Sequence, residues 1–227
     1  MRKTGLIIAV KKEFDTFLSD HSLNKENLED CPYFTQKIII NNNEIYVLES
    51  GFGEIDGAAA TQYLITKYNV DLILNYGVVG ALKKDLKVSD LFLVSKVVHY
   101  DFDASKIDGT KPGQYLEFSD EYMETKKEVT SKVFKIMPEI KSVILASGDT
   151  FIVDKTRKSE LEKRFNASIC DMEAAGIIRV CYKNQIEAIL IKCISDTFDG
   201  DGSDYIKNVA SSSKKAFNLI KELLEKL

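Results

Sequence analysis

Hydrophobic and polar residues alternate along this chain in two kinds of block. Short apolar runs, typical of buried strands, are separated by longer segments in which apolar residues recur with the period of a helix face. The strand pattern falls at 4–10, 34–40, 44–49, 71–75, 91–97, 142–146, 167–170 and 187–193. The helical pattern falls at 11–19, 55–68, 120–136, 155–165, 172–184 and 204–226.

Strands and helices that alternate in this way predict an α/β fold. We expect a three-layer α/β/α domain whose central mixed, mostly parallel twisted sheet is flanked by helices. The cluster Asn41 to Asn43 lies between two strand patterns and predicts an antiparallel hairpin. The 227 residues are 44% hydrophobic and no linker-like segment interrupts them, so a single domain over residues 1–227 is predicted.

Composition narrows the classes of partner. The net charge is −4, from 31 basic and 35 acidic residues that are interspersed, so no basic stripe is available for a nucleic-acid polymer or an anionic membrane. The first apolar run is interrupted at Lys11, which is too early for a membrane span or a secretory signal. The four cysteines have no metal-binding spacing, which predicts neither a metal site nor a disulfide framework and favours the cytoplasm; they are Cys31, Cys170, Cys181 and Cys193.

Candidate binding residues follow several predicted strands, where ligands of α/β proteins normally bind. Five turns carry notable residues: Val10–Glu13, Ser50–Gly53, Asn75–Gly77, Ser147–Phe151 and Ser195–Asp196. Their glycines permit close approach of a ligand, and the helix after Gly53 is expected to offer free N–H groups. Neither a dinucleotide fingerprint nor a P-loop is present, so a small-molecule pocket of another kind is predicted.

Two acidic motifs near the C-terminal end are the strongest sign of chemistry. Glu173 lies in the segment 171–176, and Asp196 closes the apolar run that ends at Ile194. An ionised side chain is costly at the edge of a buried element unless it is paired or functional. Each acid also has a structural alternative, because Asp196 could cap a following helix and Glu173 could favour a helix start.

Six segments in order resemble the purine nucleoside phosphorylase superfamily and, within it, the 5′-methylthioadenosine/S-adenosylhomocysteine nucleosidases. They are 5–13, 50–53, 75–77, 147–152, 171–175 and 194–196. The resemblance implies the fold predicted above, a purine nucleoside as the small-molecule partner, and no metal or other cofactor. It also implies a homodimer, in which the segment 99–103 reaches toward the pocket of the neighbouring subunit.

The resemblance implies a role for each of three acids. Asp196 is expected to protonate the purine N7 as the glycosidic bond breaks, a task that suits a carboxyl with a raised pKa. Glu173, beside Met172, is expected to bind the ribose hydroxyls, and Glu13 to activate water on the opposite face of the sugar. The implied reaction is hydrolysis of adenine nucleosides that carry a 5′-thio group, with release of adenine, in the manner of an inverting glycosidase.

Further substrate-binding positions are implied by the same resemblance. Phe151 and Ile152 are expected at the purine, and Phe52 near the 5′ group; the others are Ser195, Gly77, Val78 and Lys192. Val78 stands where the nucleosidases usually have serine, and Lys192 where they usually have arginine, which binds with a different geometry.

These departures leave two alternatives open. A phosphorylase would need cations under the sugar, and Lys11, Lys12 or Lys192 could supply one, although Glu13 would repel phosphate. A catalytically inactive nucleoside-binding module is the second alternative, because a fold does not fix a function. The 5′ substituent and the strictness of adenine recognition are not determined by the sequence.

Overall fold

The computed structural model describes residues 2–28 and 32–226, over which strands and helices alternate as predicted. The strands are β1 (Lys3–Ile8), β2 (Glu26–Leu28), β3 (Thr35–Ile40), β4 (Asn43–Glu49), β5 (Leu72–Ala81), β6 (Leu91–His99), β7 (Met123–Glu124), β8 (Lys141–Ser147), β9 (Ile169–Asp171) and β10 (Glu187–Asp196). The helices are α1 (Lys11–Leu18), α2 (Glu54–Tyr68), α3 (Ser105–Asp108), α4 (Lys127–Ile136), α5 (Lys155–Phe165), α6 (Ala174–Asn184) and α7 (Ser203–Lys226).

The strands form one mixed sheet in the order β10-β6-β8-β9-β5-β1-β4-β3-β2, with β7 paired to β6. Strand β5 also pairs in parallel with β10 from Leu72 to Gly80, so β5, β10, β6, β8 and β9 close into a ring. The predicted α/β fold with a mixed sheet between helices is confirmed. The closure of the ring is a tertiary feature that the hydrophobic pattern does not contain.

Alternation along the strands sends side chains to opposite faces of the sheet. In β1, Leu6 and Ile8 pack with the apolar residues of α1, α4 and α7, whereas Ile7 packs with those of α2 and α6. Both faces are therefore buried, as the continuous apolar run of β1 predicts.

The hairpin predicted at the asparagine cluster connects β3 and β4, which pair as Ile40 to Asn43. Asn41 and Asn42 have φ values of 48° and 63°. Asparagine tolerates this left-handed region better than most residues, and two such residues form the turn that matches the twist of a hairpin. This prediction is confirmed.

Three predicted boundaries are wrong, and the short elements β2, β7 and α3 are not predicted by the pattern. Strand β5 continues through Gly77 to Ala81, so Asn75 to Gly77 is not a turn. Two of its polar groups bond to distant parts of the chain, because the Asn75 amide donates to the Ile7 carbonyl at 3.0 Å and the Tyr76 hydroxyl donates to the Glu13 carbonyl at 2.9 Å. Among the described residues, Asn75 Oδ1 is buried without a hydrogen-bond partner. Strand β10 likewise runs to Asp196, and the helix predicted over 120–136 begins only at 127, after the short strand β7.

Three cysteines in the described residues are buried free thiols: Cys170, Cys181 and Cys193. Cys31 lies outside the described residues. No helix in the described ranges combines the length and the apolar character that a membrane crossing needs.

Candidate active site

A cavity of about 320 Å³ lies where β1, β5, β9 and β10 reach their carboxyl ends. Its lining comes from segments that are far apart in the chain: Ala9, Val10, Glu13, Phe52, Val78, Val79, Gly80, Thr150, Phe151, Ile152, Cys170, Asp171, Met172, Glu173, Ser195, Asp196 and Tyr205. Most predicted site residues are in this lining; Gly77 and Lys192 are not. The fold thus brings the acids Glu13, Glu173 and Asp196 to one cavity, together with Asp171.

Glu13 is buried in the first turn of α1, and backbone groups hold both of its oxygens. Oε1 accepts from the Val78 N–H at 2.7 Å, and Oε2 accepts from the Val10 N–H at 3.3 Å. Burial raises the pKa of Glu13 to about 7, although these hydrogen bonds and the charge of Lys192 oppose the rise. A Cβ on Gly77 would lie 3.1 Å from Oε1, so a larger residue there would require the Glu13 carboxylate to shift.

Glu173 is buried at the N-cap position of α6, where its side chain makes no capping hydrogen bond. Its Oε1 accepts from the Gly53 N–H at 3.0 Å, and the next N–H, of Glu54, donates to Asp149 Oδ1 at 2.8 Å. Two N–H groups at the start of α2, those of Gly53 and Glu54, are therefore occupied by side chains and are not free for a ligand. Burial, reinforced by the charge of Asp171, raises the pKa of Glu173 to about 7.

Lys192 forms a buried ion pair behind the acids, with its Nζ 2.8 Å from Asp171 Oδ2. Burial alone would lower the pKa of Lys192, but Asp171 and Glu173 outweigh burial and raise it. The ammonium is therefore held within the acidic cluster and balances part of its charge.

Lys11 and Lys12, the other two lysines that could supply a cation for phosphate, are not in the cavity lining. Lys11 pairs with Asp15 at 2.8 Å on the exposed face of α1, and Lys12 is exposed. Among the lining residues that the structure describes, none is lysine or arginine. An anion in the cavity would meet carboxylates without a lining cation.

Asp196 ends β10 and is buried at the cavity wall. Its Oδ1 accepts from the Ser195 hydroxyl at 2.8 Å. Burial raises the pKa of Asp196 above its ordinary value, whereas Ser195 and Lys158 act in the opposite direction. The alternative role as a helix cap is wrong, because α7 begins only at Ser203.

Apolar and aromatic groups form the remainder of the cavity. Phe151 is 47% exposed and meets the ring of Tyr205 edge to face, with centroids 5.5 Å apart. Ile152 in the same lining is buried, and Phe52 is 62% exposed. Such surfaces suit a flat heteroaromatic ring with a polar edge.

Sequence reasoning missed Tyr205, Asp171 and a buried network behind the cavity. Tyr205 carries no local signal on α7, but Asp171 opens one of the acidic motifs and could have been singled out. In the network, Ser147 Oγ lies 2.5 Å from Glu54 Oε1 and 2.6 Å from Asp171 Oδ1. Burial raises the pKa of Glu54 to about 8. Buried acids with raised pKa values are suited to proton transfer near neutral pH.

Comparison with known proteins places this geometry in a family. Residues 3–225 match the profile of the phosphorylase superfamily. An aminodeoxyfutalosine nucleosidase of Helicobacter pylori strain J99 is 29% identical over the whole of both chains. A 5′-methylthioadenosine/S-adenosylhomocysteine nucleosidase of Buchnera aphidicola is 33% identical over 85% of this chain and 86% of its own.

Solved structures agree with the sequence relatives. The futalosine hydrolase of Helicobacter pylori strain 26695 superposes with a TM-score of 0.92 at 27% identity, covering 100% of this chain and 98% of its own. A variant of the Helicobacter pylori nucleosidase MTAN, with 5′-methylthioadenosine in its active site, also gives a TM-score of 0.92, at 28% identity and 100% coverage of both chains. The chain therefore belongs to the phosphorylase superfamily and, within it, to the family that contains the methylthioadenosine/S-adenosylhomocysteine and aminodeoxyfutalosine nucleosidases.

Proposed function

We propose that this protein hydrolyses the N-glycosidic bond of adenine nucleosides with a 5′-thio substituent, 5′-methylthioadenosine and S-adenosylhomocysteine, and releases adenine. One observation carries the proposal: the described lining of the cavity contains four carboxyl groups and no lysine or arginine. Such a lining favours a cationic sugar in the transition state and water as the nucleophile.

Three of the four acids have a step in this reaction. Asp196, protonated at the start, donates to the purine N7 while the electron pair of the glycosidic bond moves onto the base. Glu173 holds the ribose hydroxyls and stabilises the positive charge that develops on the sugar. Glu13, whose pKa is about 7, accepts a proton from the attacking water.

Two alternatives are weaker on structural grounds. Phosphorolysis needs a cation for phosphate, yet Lys192 is paired with Asp171 in the acidic cluster. An inactive binding module would result if Val78, in place of the usual serine, and Lys192, in place of the usual arginine, disabled the nucleophile site. However, Val78 holds Glu13 through its backbone N–H, a contact that does not depend on the side chain.

Aminodeoxyfutalosine is a second candidate substrate. A relative with this activity in its name matches the full chain. Phe52, an aromatic residue of the cavity lining, favours an apolar 5′ substituent.

The test measures adenine release by the purified protein from each of the three nucleosides, in phosphate-free buffer and with added phosphate. We expect release without phosphate from 5′-methylthioadenosine and S-adenosylhomocysteine. Asp196→Asn should reduce it by roughly 10²–10⁴-fold, the usual contribution of a general acid. The control Asp201→Asn, an exposed residue of the following loop, should retain activity. Release only with phosphate would indicate a phosphorylase, and binding without release would indicate a binding module.

We further propose a homodimer. Ile107 and Leu116 are 90% and 71% exposed near the segment 99–103, and large exposed apolar side chains are common at interfaces between subunits. Light scattering coupled to size exclusion should give twice the chain mass of 25.6 kDa. A monomer at micromolar concentration would contradict this proposal.

A further inference from the structure

A buried lysine lies next to the candidate general acid. Lys158, on α5, is 1% exposed and its Nζ donates to the Thr197 carbonyl at 2.8 Å and the Phe198 carbonyl at 3.5 Å. The same Nζ is 4.0 Å from Asp196 Oδ2. The ammonium therefore contacts both the acid and the turn that follows it.

The position of Lys158 on its helix is one that packing would give to an apolar residue. Leu161 and Phe165 follow at the spacing of a core-facing stripe and are buried, whereas Lys155 and Lys163 on the same helix are exposed. A lysine is almost never fully buried unless it is paired. Here the carbonyls and the Asp196 carboxyl are its partners, so its place in the core is tied to the acid.

Four groups from three elements face Asp196. They are Lys158 on α5, Asp204 and Tyr205 on α7, and Cys170 on β9. Burial raises the pKa of both the Tyr205 hydroxyl and the Cys170 thiol to about 12, so both are neutral at pH 7. Lys158 is then the cation that acts on Asp196, and Asp204 opposes it.

We propose that Lys158 is a positioning residue for the general acid: its ammonium fixes the 197–198 turn and stabilises the Asp196 carboxylate that forms on proton transfer. The inference rests on the proposed function. In the step, one proton passes from Asp196 to N7 and the electron pair of the glycosidic bond passes to the base. Lys158 takes no part in the proton transfer itself.

Removal of the Lys158 charge should raise the pKa of Asp196 and so make Asp196 a weaker acid. The reaction needs protonated Asp196, so activity falls as the pH rises through the pKa of this group. An opposite charge at this distance lowers a carboxyl pKa by roughly one to three units, so in Lys158→Met the alkaline limb of the kcat profile should move up by about one pH unit or more. The exposed lysine variant Lys163→Met, which changes the same charge on the same helix, should leave the limb in place.

Two further variants separate charge from anchoring. Lys158→Gln keeps a donor near the Thr197 carbonyl without the charge, and we expect it to shift the alkaline limb as the methionine variant does. Lys158→Arg keeps the charge, and we expect the limb to stay within a few tenths of a pH unit. If the glutamine variant retained the wild-type profile, the charge would have no role and the proposal would be wrong.

A direct titration makes the result independent of turnover. Carbon-13 NMR of labelled aspartate carboxyls, with the Asp196 signal assigned from Asp196→Asn, should show a higher pKa in both uncharged Lys158 variants than in wild type. An unchanged pKa in both would overturn the inference, even in an active enzyme. If the wild type released no adenine, the proposed function would fail, and this titration would still decide whether Lys158 controls Asp196.

Discussion

Glu54→Gln tests whether a buried carboxyl behind the cavity is neutral in the folded protein. Ser147 has one hydroxyl proton but lies 2.5 Å from Glu54 and 2.6 Å from Asp171. Asp171 is paired with Lys192 and is the better acceptor, so the proton between Ser147 and Glu54 must come from Glu54. Glutamine would reproduce this pattern, because its amide can donate to Ser147 and its carbonyl can accept from Gly176.

The magnitude follows from the linkage between proton binding and folding. Burial raises the pKa of Glu54 from 4.5 to about 8, so the folded chain keeps a proton that the unfolded chain releases. The stabilisation is full below the unfolded pKa and is lost as the pH rises to the folded pKa, at about 1.4 kcal/mol per pH unit. Between pH 5 and pH 8 the wild type should therefore lose roughly 2–4 kcal/mol from this group, and Glu54→Gln should not.

The assay is urea unfolding of both proteins at pH 5, 6.5 and 8. We expect the two free energies of unfolding to lie within about 1 kcal/mol at pH 5, since the hydrogen bonds are conserved, and the variant to become the more stable protein at pH 8. The exposed variant Glu139→Gln controls for loss of charge alone. A difference in free energy of unfolding between the two proteins that stays constant with pH would refute a protonated Glu54. A variant that is less stable than the wild type at pH 8 would refute it as well.

Three other substitutions test the packing around the site. Lys192→Met leaves Asp171 without its cation and should lower the free energy of unfolding by about 3–5 kcal/mol at pH 7. The loss should be smaller at pH 5, because burial raises the pKa of the neighbouring Glu13 and Glu173 to about 7 and both are then neutral. Urea unfolding at both pH values checks this, and equal losses would contradict it. Gly176→Ala would place a Cβ 2.3 Å from the Glu54 carbonyl and push α2 away from α6. Urea unfolding should therefore show a loss of roughly 1–3 kcal/mol in the free energy of unfolding. An unchanged free energy of unfolding would show that the two helices separate without cost. Asn42→Val, at a φ of 63°, should cost about 1–2 kcal/mol in thermal unfolding, whereas Asn42→Gly should be tolerated; equal effects would argue against backbone strain.

Much of the fold could be predicted because secondary structure follows local periodicity. The apolar run of β1 and the asparagine turn between β3 and β4 were both legible in the sequence. The errors occurred where polar residues continue a strand, as at Asn75 and Tyr76 in β5. Their hydrogen bonds reach Ile7 and Glu13, distant residues that a local window does not include.

The residues of the candidate site could likewise be predicted only in part. The sequence, through its resemblance to a family, singled out Glu13, Glu173 and Asp196, and the fold places all three at one cavity. It gave no reason to select Glu54 or Lys158. Helix periodicity predicts an apolar residue at position 158. The ion pair of Lys158 with Asp196 is visible only in the folded chain, where α5 and the end of β10 come together.

The sequence by itself determined the order of the longer strands and helices, the hairpin turn and, through its resemblance to a family, the identity of the acids. Tertiary structure decided how those acids behave. It closed β10 onto β5, paired Lys192 with Asp171 and buried Glu54 against Ser147. The physical reason is that hydrophobic periodicity acts between near neighbours in the chain, whereas desolvation and charge pairing depend on groups that only folding brings together.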